Sequence, residues 1–272
     1  MQRHQSFAFL LFSVAIFVGS TPGMAGANKF KVTNVHFETN FSACDMGIQI
    51  RFDTEGLTEG SVTDPNGKQI YSFRSAGGMK ATGGQTEGFL EGIEPQIKEL
   101  MDALGCARER DEGKSTLAEL LAKFPQGEYA FSGLHNGVRI TGQDRLTYDI
   151  PSGTTVRAPV NGAILPLRHV MLKWTPVTGP ILPYLGPVTI TGYHAILYEN
   201  GPEVVPQLDV DLPATQTSLK VPVQYLKQAT VYLFEILSTE KSGNQTITEG
   251  FFCTEGVQAC KTPVGRSRRF RH

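Results

Sequence analysis

"RHVMLKWTPVTG", residues 168–179, holds the single tryptophan of the chain, Trp174. Along an extended strand successive side chains alternate between faces. Val170, Leu172 and Trp174 therefore share one side, and His169, Met171 and Lys173 the other. The first side is apolar throughout, so Trp174 lies on the face that wants burial. The alternation returns downstream. "VTITGYHAILYEN" aligns Tyr193, Ala195 and Leu197, and "YLKQATVYLFEIL" aligns Tyr232, Phe234 and Ile236. Short alternating runs broken by turn signals from about residue 154 to 253 predict a β-sandwich.

Those residues carry a family resemblance. Trp174 stands where fibronectin type III modules keep a core tryptophan on strand B, and Gly192-Tyr193 where their strand C keeps a Gly-Tyr pair. Leu226, Thr230 and Tyr232 have the spacing of that family's E–F corner, and Val221-Pro222 and Gly243-Asn244 fit its loops. Over about 100 of the 272 residues the chain resembles a fibronectin type III module. The resemblance implies a corner tyrosine whose hydroxyl bonds the backbone. It also implies that Trp174, Tyr193, Leu226, Tyr232 and Phe234 are structural core residues rather than ligand contacts. The family often has Pro-Gly where this chain has Gln228-Ala229. No Arg-Gly-Asp occurs in the F–G loop "STEKSGNQT", so integrin-type adhesion is not implied.

Upstream, residues 28–151 read as a second β-sandwich-like domain with a helical insertion at 86–123. "MGIQIRFD" puts Ile48, Ile50 and Phe52 on one face. "SVTDPNGKQIYSF" and "GEYAFSGLHNGVRITG" are hairpins, turned at Asp64–Gly67 and Asn136-Gly137. "DRLTYDI" closes the set as a further strand. "FPQGEYAFSG" is similar to the short Pro-x-Gly-x-Tyr-x-Phe pattern that opens strands in immunoglobulin-like bacterial modules. In the insertion, "EPQIKELMDALG" predicts a helix from Pro95 to Gly105, and "STLAELLAKF" a second with Thr116 and Glu119 as a capping box. "GGMKATGGQ" reads as a mobile connection. It lacks the Lys-Ser/Thr ending of a phosphate-cradling loop.

"DIPSGTTVRAP", 149–159, reads as the linker to the C-terminal domain, 152–256. The two ends differ in chemistry. Residues 1–27 have a basic start, an apolar stretch from Phe7 to Val18 and small residues at Ala25–Ala27, the order of a secretory signal peptide. That stretch is shorter than the roughly 20 residues that span a bilayer. Residues 257–272 form a basic tail with Lys261, Arg266, Arg268, Arg269 and Arg271. It reads either as a solubilising end or as a contact for an anionic surface.

Four cysteines, Cys44, Cys106, Cys253 and Cys260, in an exported chain favour disulfides over metal. Three pairings are possible, and proximity favours Cys253–Cys260 with Cys44–Cys106. The formal net charge of −1 gives no nucleic-acid footprint. Neither His-Glu-x-x-His nor Gly-x-Ser-x-Gly is present, and no two histidines stand at ligand spacing. Asp45, Asp53, Glu55, Glu59 and Asp64 could supply oxygens for calcium or carboxylates for glycoside hydrolysis, but match no calcium loop and read as solvated turns.

The sequence thus predicts two tandem β-sandwiches in a periplasmic or extracellular protein that is not an enzyme. No catalytic residue, cofactor or metal ligand is assigned, and the partner class is protein or envelope polymer. The alternative is a polysaccharide-active enzyme, or an accessory carbohydrate-binding protein, using the N-terminal domain.

Overall fold

The structure is a computed structural model that describes residues 29–106, 113–183, 185–201 and 206–261. The segment read as a signal peptide and the arginines of the tail lie outside the described residues. The N-terminal half opens with the antiparallel pair β1 (Val32–Asn40) and β2 (Asp45–Leu57). The hairpin β3 (Glu59–Thr63) and β4 (Gln69–Arg74) follows. Asp64 closes its turn by accepting from the amides of Asn66 and Lys68 at 2.9 and 2.8 Å.

Next come α1 (Gly77–Ala81), β5 (Gln85–Glu91), β6 (Gln96–Ile97), α2 (Lys98–Leu104), β7 (Lys114–Ser115) and α3 (Leu117–Lys123). The hairpin β8 (Gly127–His135) and β9 (Val138–Leu146) ends this half. Its turn needs positive φ at two successive residues, supplied by Asn136 at 48° and Gly137 at 78°.

The C-terminal half contains β10 (Val156–Ala158), β11 (Ala163–Leu165), β12 (Met171–Trp174), β13 (Ile190–Glu199), β14 (Pro206–Pro213), β15 (Ser218–Lys220), β16 (Val231–Glu240) and β17 (Gln245–Thr254). Three of them, in the order β10-β12-β15, face four in the order β14-β13-β16-β17. Val170, Leu172 and Trp174 close one side of that core, and Tyr193, Leu197, Tyr232, Phe234 and Phe252 the other. In the N-terminal half β4-β3-β8-β9 faces β1, β2 and β5, with Phe37, Ile50 and Phe52 packed together with Tyr129, Phe131 and Ile140. The molecule is mainly β, two stacked sandwiches.

Four local readings change. "GGMKATGGQ" contains the turn of α1, and β5 starts at Gln85, so part of the expected helical insertion is strand paired to β2. At Gly84, with φ +94°, a Cβ would collide with the Leu57 carbonyl. The first expected helix starts at Lys98 rather than at Pro95. The Ile97 amide is held by the Cys44 carbonyl at 2.7 Å, and tertiary pairing wins over helical period. "DRLTYDI" is no separate strand, because its first residues finish β9. The capping box at Thr116 and Glu119 is formed, with Glu119 N donating to Thr116 Oγ1 at 3.2 Å and Thr116 N to Glu119 Oε2 at 2.8 Å.

The fourth difference concerns the linker. β17 pairs with β16 along its length and also runs parallel to β1, matching Glu38 with Gln245 and Asn40 with Ile247. One ten-stranded sheet therefore crosses both halves. Residues 147–154 are stitched to it by side chains. Asn244, fully buried, accepts from Phe37 N at 2.8 Å and donates to the carbonyls of Thr147 and Asp149 at 3.0 and 3.1 Å. Thr246 Oγ1 donates to Pro151 O at 2.6 Å, and Ser238 Oγ to Ser152 O at 3.0 Å. Thr154 N donates to Thr248 Oγ1 at 3.0 Å. Turn-forming composition is bound backbone here.

Candidate functional site

Trp174 is 4% exposed, and its ring meets Tyr193 edge-on with centroids 5.5 Å apart. The indole N–H is buried and has no acceptor among the described residues, so the ring contributes as an apolar body. Tyr193 OH accepts from Val177 N at 2.9 Å. Tyr232 OH accepts from Lys227 N at 2.7 Å, a bond five residues back that clamps the corner, and its ring stacks on Phe252 at 5.4 Å. Leu226 and Phe234 are buried beside them. Ala229, at the tip of that corner, has φ 53°, a left-handed conformation that costs an L-residue about 1 kcal/mol. These residues make a core, not a ligand platform. Disulfides join Cys44 to Cys106 and Cys253 to Cys260.

Two surfaces carry polar chemistry. The first is the outer face of β4-β3-β8-β9. Register places Ser72, Ser61, Ser132 and Thr141 in one row across four strands, with Arg74, Glu59, Leu134 and Arg139 in the next. A groove of about 420 Å³ is lined by Ser61, Ser72, Ser132, Glu59, Arg74 and Arg139 of these rows, together with Gln69. Arg74 bonds Glu59 at 3.1 Å, and Arg139 donates to Ser132 Oγ at 2.8 Å. Hydroxyls and guanidiniums in this array can donate to a polyhydroxylated or anionic group. Glu59 is the carboxylate among the lining residues, whereas glycoside hydrolysis by the usual route asks for two.

The second is the outer face of the ten-stranded sheet. Carboxylate oxygens of Glu38, Glu91 and Glu94 all lie within 4.8 Å of one another. Glu235 and Glu249 are register partners on the same face. Burial pushes the Glu38 carboxyl up to about 7, against a bond from Gln245. Burial, then Glu249 and Glu38, raise Glu235, whose Oε2 accepts from Tyr198 OH at 3.2 Å. His36, bonded to Asn34 at 2.6 Å, is pushed down to about 4 by burial.

The five acids singled out from sequence do not converge. Lys31 reaches Glu55 at 2.6 Å and Asp53 at 3.9 Å, Glu59 pairs with Arg74, Asp64 holds its turn, and Asp45 is buried. The acids that do gather come from distant segments, Glu38 on β1, Glu91 on β5 and Glu94 beyond it. Their one sequence signal is parity: Glu38 interrupts a strand whose other side is Val35 and Phe37. Asn244 carried no signal beyond a loop position.

No protein-family model matches the chain, and no curated protein matches it. Among solved structures, a two-domain fibronectin type III segment of chicken tenascin aligns at 13% identity and TM-score 0.27, covering 82% of this chain and 98% of that one. The FN1–FN3 domains of chicken CNTN1 align at 10% and 0.29, covering 84% and 69%. A tetra-tandem repeat from the extending region of a large adhesion protein aligns at 12% and 0.25, covering 80% and 49%. At such scores no property of those proteins passes to this chain. The fibronectin type III-like form of the C-terminal sandwich rests on its three-against-four strand division, Trp174 and the Tyr232 corner.

Proposed function

We propose that this chain is a non-catalytic exported protein that binds or spaces other macromolecules of the cell envelope as a single stiff unit of two sandwiches. The observation that carries the reading is β17, which is hydrogen-bonded to β16 of one half and β1 of the other. Inter-domain motion is the default where a linker is free. Here the linker backbone is tied down by Asn244, Thr246, Thr248 and Ser238. A fixed angle between modules suits a spacer. Two disulfides suit an oxidising compartment, in line with the signal segment read from the sequence. Among the described residues no helix is long and apolar enough to cross a membrane. The serine-lined groove with Arg74 and Arg139 is the surface assigned to a protein or envelope polymer.

Calorimetry and retention test the two parts of this reading. The mature chain is expected to unfold in one transition, and Asn244→Ala to split it. Two independent transitions in the unaltered protein would refute the stiff unit. Immobilised protein is expected to retain an envelope polymer or protein and to lose it on Arg74→Ala with Arg139→Ala. Equal retention by that variant would refute the groove.

A further inference from the structure

We infer that the groove over β4-β3-β8-β9 takes an acidic polysaccharide, with the carboxylate of one sugar on Arg139 and hydroxyls of its neighbour on Arg74 and Glu59. The inference rests on the reading of this groove as the binding surface and names what it binds. The face is open. Ser72, Arg74, Arg139 and Thr141 are exposed, and the Arg74 side chain is 81% accessible. Val62, Phe131 and Ile140 fill the core from the opposite side of the same strands.

Charge along the rows points to one anion rather than many. Glu128 is the register partner of Arg145, and Glu59 of Arg74, whereas Arg139 is matched to Leu134. Arg139 is thus the guanidinium of this face, among the described residues, that no carboxylate offsets across the ladder. It spends one N–H on Ser132 Oγ at 2.8 Å, which lays the fork over β8. The remaining N–H groups suit a carboxylate bound side-on by two parallel bonds.

The Arg74–Glu59 pair, at 3.1 Å, sets donors beside an acceptor. A sugar hydroxyl donates and accepts, so it uses both, while a second carboxylate there would be repelled by Glu59. Ser132 and Glu59 are diagonal neighbours on adjacent strands, about 7–8 Å apart, the reach of two joined sugar rings. Ser61 and Ser72 add hydroxyls to the floor. A protein partner would want an apolar anchor. Among the lining residues no large apolar side chain is exposed, and the Phe73 ring stacks on buried Phe52 at 5.6 Å.

The test immobilises the full mature chain and applies protease-treated envelope polysaccharide, before and after its carboxylates are capped as methylamides with carbodiimide. Uncapped material should be retained, and capping should weaken retention at least about ten-fold through loss of a charge-assisted pair. Arg139→Gln should hold both forms alike, at the capped level, with an unchanged near-ultraviolet circular dichroism spectrum. Ser61→Val with Ser72→Val should weaken both forms by a similar factor. Retention that ignores capping, or an Arg139→Gln chain that still distinguishes the two forms, would overturn the inference. If untreated envelope extract is retained through Arg74 and Arg139 but protease-treated polysaccharide is not, the ligand is a protein: the inference falls and the groove reading stands. If neither is retained, the groove reading falls too.

Discussion

The two faces of the ten-stranded sheet obey the same alternation and differ in chemistry. Inward, Phe37, Tyr193, Phe234 and Phe252 close two apolar cores. Outward, Glu38, Gln49 and Glu235 are also buried, yet polar, beside a small apolar cluster of Ile196, Tyr198, Leu237 and Ile247. Burial on one side is driven by apolar area. On the other it costs desolvation that must be offset by hydrogen bonds and protonation. The contrast teaches that hydrophobic pattern marks the apolar residues of both faces and leaves the buried carboxylates of the outer one unmarked.

Substitutions can break this contrast, and the inner face should give the largest effect. Phe234→Ala is expected to destabilise by about 3–5 kcal/mol in denaturant titration. Trp174→Ala should fall in the same range, and Trp174→Phe well below it because the indole N–H forfeits no bond. A loss under about 1 kcal/mol for Phe234→Ala would mean that this core is loose.

The seam comes next. Asn244→Ala strands the Phe37 amide and the Thr147 and Asp149 carbonyls, and should cost about 1–3 kcal/mol. Chemical denaturation followed by circular dichroism checks it. A neutral result would show that strand pairing alone holds the halves together.

The outer face should answer to pH. Glu38 has its ordinary value of 4.5 when unfolded and about 7 when folded. Between those values the folded chain keeps a proton that the unfolded chain has released, so stability from this group falls as pH rises and is flat above about 7. His36 works in reverse, since its folded value of about 4 lies below 6.5 and stability is lost as pH falls between them. Glu38→Gln should therefore raise the melting temperature at pH 8 and leave it nearly unchanged at pH 4. The same gain at both pH values would remove desolvation of Glu38 as the cause.

The smallest effect belongs to the corner. Ala229→Gly relieves a left-handed alanine and should stabilise by up to about 1 kcal/mol, visible as a higher denaturation midpoint. A loss of stability would indicate that the Ala229 methyl packs to advantage.

Much of the mainly β architecture is legible along the chain. Strand parity from Val170 to Trp174 and the Asn136-Gly137 and Asp64–Gly67 turns are local properties, and local rules reach them. The helix start at Pro95 misled because a contact from Cys44, far away in sequence, claims Ile97 for a strand. The linker misled because Pro, Gly and Thr report a turn but not what the Thr hydroxyls will meet. The converging carboxylates carry no local signal, because Glu38 and Glu91 are distant in sequence and come within 4.8 Å of each other across β2.

By itself, then, the chain's order of residues determined strands, turns, the apolar faces and the fold class, because each depends on side-chain parity and backbone preference within a few residues. Only the tertiary structure decided that β17 serves both halves, that Asn244 bolts them together, and that five carboxylates share one surface. Those outcomes depend on which strands become neighbours, and that is settled by packing two cores at once.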